Sequence, residues 1–117
     1  MNRYYEVLQR YTREDGLEVI IDKSYEDCIH PRDCFDTPDV AEVCEKIDNG
    51  TYDWFFLRVR VLLDGHTMGD ATVGGCCYED AKEVLTDGTA DDMIATALEE
   101  ALRNIGSLKR KLDAFAD

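Results

Sequence analysis

Tyr52-Asp53-Trp54-Phe55-Phe56-Leu57-Arg58-Val59-Arg60-Val61-Leu62-Leu63 is the longest strand-like run in the chain. Phe55, Leu57, Val59, Val61 and Leu63 fall on one face at a period of two, and the run is dense in aromatic and β-branched residues. The other face carries Trp54, Phe56, Arg58, Arg60 and Leu62, apolar at both ends with two arginines between them. This pattern predicts a central antiparallel strand whose first face lies on helices. The second face is expected to be more open, and able to hold charge that is paired.

Upstream, residues 4–12 alternate loosely and the tyrosines favour a strand. Arg13-Glu14-Asp15-Gly16 reads as a tight turn and Leu17–Asp22 as a second strand, so the N-terminus is expected to be a hairpin. On that strand Glu18 and Asp22 share a face, which makes them the expected partners of Arg58 and Arg60. Periodicity is lost from Lys23 to Asp36. Thr37-Pro38 then opens a helix, with Thr as N-cap and Pro at the first helical position. Val40, Ala41, Cys44 and Ile47 lie on one side of it, and Asp48-Asn49-Gly50 ends it.

Downstream of the central strand, residues 64–69 form a turn signal and Asp70–Cys77 a short strand, which Gly74-Gly75 weakens or bulges. Tyr78–Leu85 reads as a short helix. A final long helix opens at Thr89-Ala90-Asp91-Asp92, similar to a capping box. Its stripe is Met93, Ile94, Ala97, Leu98, Ala101, Leu102, Ile105, Leu108 and Leu112, with Leu98 and Leu102 expected over the core. Gly106 marks a bend or a close packing contact. The order β-β-α-β-(β)-α-α over residues 1–117 predicts a single α+β domain, an antiparallel sheet of three to four strands with helices packed on one face.

Charge is the outlier. Against 13 bases stand 26 acids, a net of −13 in 117 residues, beyond the magnitude of roughly 2–8 that suits solubility of a small domain. Residues 14–53 hold 13 acids against 3 bases and residues 61–100 hold 10 against 1. Such tracts on a folded scaffold can imitate nucleic-acid phosphates, which space one charge per roughly 1.7 Å of duplex axis. The expected partner is a basic, nucleic-acid-binding surface of a larger protein. The residues expected to meet it are Glu14, Asp15, Asp33, Asp36, Asp39, Glu42 and Glu45, from the more acidic tract. Direct nucleic-acid binding is not expected. Lys109-Arg110-Lys111 is the only basic cluster, and a helix C-terminus accounts for it.

Two other chemistries compete. Cys76 and Cys77 precede a predicted helix, whose N-terminus would favour thiolates, and His66 on the preceding turn could serve as a base. That arrangement would make a small enzyme or redox sensor. Cys28, His30, Cys34 and Cys44 could form a zinc-stabilised module, although no C-x-x-C pair is present and the spacing fits no common zinc pattern. That spacing makes a metal unexpected, and the glycines match neither a P-loop nor a dinucleotide fingerprint, so no cofactor is expected either. The opening residues lack the apolar run of a signal peptide and no segment is long enough to span a bilayer. With an odd number of cysteines, this suggests a cytoplasmic location.

In size, acidity and lack of a catalytic signature the chain resembles small phage and plasmid proteins that block host defence, of the anti-CRISPR and anti-restriction kind. The resemblance is one of overall character. It implies a non-enzymatic inhibitor that excludes nucleic acid from its partner.

Overall fold

A computed structural model describes residues 4–26 and 39–116 of the chain. Its centre is the run Asp53–Leu63, strand β3, flanked by β2 (Glu18–Tyr25) on one side and β4 (His66–Tyr78) on the other. Strand β1 (Glu6–Thr12) forms the far edge, and the four make an antiparallel sheet in the order β1-β2-β3-β4. Helix α1 (Val40–Asp48) joins β2 to β3. A 3₁₀ turn (Ala81–Leu85) and helix α2 (Thr89–Ala116) follow β4. This is the predicted α+β order, with two refinements. Strand β4 starts at His66, inside the segment read as a turn, so only Asp64-Gly65 make the turn. The segment read as a short helix from Tyr78 is strand through Tyr78 and then a single 3₁₀ turn, capped by the Asp80 side chain accepting from the Lys82 N–H.

The period-two face of β3 is the core. Phe55, Leu57, Val59 and Val61 are fully buried with Val19 and Ile21 of β2, and Val84, Ala90, Ala97 and Ala101 close the layer from the other side. Residue size explains how α2 comes so near the sheet. A Cβ on Gly69 of β4 would stand 2.2 Å from the Ala97 carbonyl oxygen and 2.7 Å from the Ala101 nitrogen. Only a glycine facing two alanines permits that approach. The predicted weak point at Gly74-Gly75 is a β-bulge: Phe55 faces Cys76 but Leu57 faces Val73, with Gly75 at φ 69°. A second bulge falls at Leu8, between the Val7–Asp22 and Gln9–Ile21 pairs, and turns Leu8 toward the core.

The other sheet face departs from the expectation of openness. Ile20, Trp54 and Leu62 are buried there, as is Asp22 at 1% exposure. Arg58 donates from Nε and Nη2 to the two Asp22 oxygens at 2.8 and 2.7 Å, and Arg60 adds a third bond from Nη2 at 3.3 Å. The Tyr5 ring lies 3.4 Å from the Arg58 guanidinium. Both arginines therefore use the same acid. Register sets Asp22 opposite Arg58 and Ile20 opposite Arg60, which leaves Glu18 across from Leu62. Glu18 bonds instead to Arg10 of β1, at 3.2 and 3.1 Å.

Two further expectations change at α2. Its first turn is held by Asp87, whose carboxylate accepts from the Thr89 N–H at 2.9 Å, while the Gly88 carbonyl accepts from Asp92. Thr89 is thus inside the helix, and its hydroxyl meets the Tyr78 hydroxyl at 3.2 Å. Leu98 packs against the core as predicted, but Leu102 is exposed on the side of the helix. Gly106 meets nothing closer than an Arg110 side chain. Among the described residues no helix is long and apolar enough to cross a membrane.

Candidate partner-binding surface

Strand direction decides which acids stand together. β2 leads away from the Arg13–Gly16 turn, so Glu14 and Asp15 mark one end of the sheet. Tyr25 pairs with Phe55 at the other end, where α1 enters β3. Eight residues of β2 at about 3.3 Å each separate the two ends by roughly 26 Å. The candidates taken from one acidic tract therefore fall into two groups. Glu14 and Asp15 lie at the hairpin turn. There Arg13 holds the Asp15 carboxyl below its ordinary range by hydrogen bonding, and Asp15 also accepts from the Leu17 N–H at 3.1 Å. Asp39, Glu42 and Glu45 are exposed on α1 at the opposite end. Asp33 and Asp36 lie outside the described residues, as do Cys28, His30, Cys34 and the predicted Thr37-Pro38 cap.

The α1 end gathers acids from the second tract as well. Asp53 opens β3 and pairs in register with Tyr78, the last residue of β4. Beyond Tyr78 the chain turns through Glu79, Asp80, Glu83, Asp87, Asp91 and Asp92, all of them exposed. The Tyr78 hydroxyl donates to Asp87 at 2.6 Å, which keeps this segment folded back against the end of β4 and holds the Asp87 carboxyl below its usual value. With Asp39, Glu42, Glu45 and Asp48 of α1, two tracts far apart in sequence share one end of the fold. Bases there are few: Lys82 of the 3₁₀ turn is exposed, and the other two are engaged. Lys23 pairs with Asp53 and Glu6. Lys46 pairs with Glu42 at 3.6 Å and sits over the Tyr52 ring. These six acids of residues 79–92 were missed as partners of α1 because only the antiparallel pairing of β3 and β4 brings them there.

The thiols take a different character from that expected. Cys76 is buried in the core, its Sγ 3.9 Å from the Val73 carbonyl, and burial pushes its pKa up to about 11. Burial and the Asp53 charge also raise Cys77. Neither is at a helix N-terminus, since the strand continues through both. His66 pairs with Leu63 and Cys76 with Phe55, so the proposed base stands most of a strand length from the thiol. Cys44 is half-buried on α1, and among the described residues no group of three or more metal-ligating side chains assembles. A shallow cleft of about 160 Å³ opens between Tyr4, Glu6, Lys23, Tyr25 and Asp53, with Lys23 and its acid partners filling its polar side.

Compared with known protein families, with curated proteins and with solved structures, the chain matches none.

Proposed function

We propose that this is a non-enzymatic acidic binding protein that occupies a basic, nucleic-acid-binding surface of a larger partner. It would act as phage-type inhibitors of host defence do, by steric and electrostatic exclusion. One observation carries the reading: acids of two separate tracts converge on one end of the fold, on α1 and on residues 79–92, with few bases among them. Like charges so gathered repel one another and cost stability, and a basic partner would offset that cost.

Asp39, Glu42 and Glu45 are the contacts to test first, with Glu14 and Asp15 as a second, separate group. Replacing Asp39, Glu42 and Glu45 with Lys reverses the α1 field at exposed positions, and circular dichroism checks that the fold survives. Binding to a nucleic-acid-handling partner should then be lost. Association of the native chain should slow as salt rises, because charge attraction is screened over roughly 8–10 Å at physiological ionic strength. Binding that survives both the reversal and high salt would overturn the proposal.

A further inference from the structure

Two amphipathic helical surfaces in this chain are incompletely covered among the described residues, and they are opposite in charge. The first is α1. Val40, Val43, Cys44 and Ile47 form one row along it, each only half-buried, and no strand or helix among the described residues packs closely on it. It carries Asp39, Glu42, Glu45 and Asp48 against Lys46. The second is the end of α2. Ile94, Leu98, Ala101, Ile105, Leu108, Leu112 and Phe115 recur at alternating spacings of four and three, the seam of a helix that packs along its whole length. The sheet covers only the first part. Asn104 donates to the Met68 carbonyl near the start of β4, and the helix then runs on past the strand. Leu108, Leu112 and Phe115 are left 43%, 57% and 91% exposed. This half carries Arg103, Lys109, Arg110 and Lys111 against Asp113.

We propose that the chain forms an antiparallel homodimer in which α1 of each copy docks on the free half of α2 of the other. Position supports this. α1 sits at the acidic end of the sheet, whereas α2 starts at that end beside Tyr78 and leaves past the opposite one. Two copies side by side and antiparallel bring each α1 against the other's free half, and one twofold axis closes both contacts. Length supports it too. Nine residues of α1 and eleven from Ile105 to Phe115 span about 14 and 16 Å at 1.5 Å per residue.

Charge favours this pairing over direct contact between the two free halves. At 100° per residue Lys109 and Lys111 bracket the α2 seam, so two such seams facing each other would set lysine against lysine. Asp39 and Asp48 flank the apolar row of α1 instead, one on each side, and meet those lysines with opposite charge, while Lys46 on the Asp39 flank is held by Glu42. Glu42 and Glu45 lie on the far side of α1 and stay outward. The dimer engages Asp39, which the acidic-surface reading also uses, so Glu42→Lys with Glu45→Lys, both outside the dimer contact, separates the failure of one from the failure of the other.

Sedimentation velocity on the full chain under reducing conditions, from low to high micromolar, tests the dimer. The expected species has twice the 13.3 kDa chain mass. Lys109→Glu with Lys111→Glu should weaken it by roughly tenfold or more, from like charges placed in contact. Adding Asp39→Lys and Asp48→Lys to the same chain should restore it. Val43→Ser with Ile47→Ser should dissociate it while circular dichroism shows the sheet and α2 intact. A monomer at every concentration would overturn the proposal, whether its free half then binds anionic vesicles or nothing. So would a dimer that the α1 substitutions leave unchanged, because that dimer would be held by other surfaces.

Discussion

The two halves of α2 are written in the same pattern and live in different surroundings. In the first, Ala97 and Ala101 press against Gly69 and are fully buried, with Leu98 and Ile105 filling in beside them. In the second, Leu108, Leu112 and Phe115 continue the stripe into solvent. An apolar period identifies a face that needs a partner, and it does not say whether the partner is the chain's own sheet. The first half is a matter of folding. The second is a matter of association.

Substitutions can separate the two. The largest effect should come from the scaffold beneath the first half. Asp22→Asn removes the charge that Arg58 and Arg60 share, leaving two guanidinium groups on a largely buried face, where breaking such a pair costs about 3–5 kcal/mol. The urea midpoint should fall accordingly, and a midpoint within error of the native one would mean the arginines are held some other way. Next is Gly69→Val, which forces α2 off the sheet. Overpacking of this kind typically costs about 1–3 kcal/mol and more where backbone must move, and tryptophan fluorescence and urea melts would show it. Leu98→Ala should cost about 2 kcal/mol, at the low end for a buried leucine because the residue is only half-buried. Leu112→Ala should change the melt of dilute protein by no more than about 0.5 kcal/mol, as exposed positions do. Equal costs at Leu98 and Leu112 would erase the distinction between the halves.

The smallest effect is a pH signature of the buried first half. The folded pKa of Cys76 stands near 11, above the value of 9.0 usual for a free thiol. Its contribution to stability is therefore whole below pH 9 and is lost as pH rises toward 11, because the unfolded chain releases the proton first. The hydrogen bond to Asp87 raises Tyr78 as well, so the native chain should be compared with Cys76→Ala, whose decline over that window should be shallower. At neutral pH the Cys76 thiol should react with Ellman's reagent only as the protein unfolds.

Much of this was legible in sequence, for identifiable reasons. The β3 run, the N-terminal hairpin and the α1 stop signal are local patterns, and each folds as its period or turn residues dictate. The partner of Glu18 was not legible. A pairing register depends on where the connecting turns and bulges fall, and the register here places Asp22, not Glu18, among the arginines. The joining of Asp39, Glu42 and Glu45 with residues 79–92 was hidden for a related reason. Acid density along the chain could be counted, but only the β3–β4 pairing places the two tracts at one end. The strand through Cys76 and Cys77 was legible, but the helix expected straight after them was not formed, since the strand runs on through Tyr78 and only a 3₁₀ turn follows at Ala81.

The claim that the acidic end binds a basic, nucleic-acid-handling surface has one direct test. The native chain and the Asp39→Lys, Glu42→Lys, Glu45→Lys variant are immobilised and exposed to host-type lysate, then washed with rising salt or with duplex DNA. Proteins that themselves bind nucleic acid should be retained by the native chain alone, and both salt and DNA should release them. Retention of the same proteins by both chains, indifferent to salt and to DNA, would contradict it.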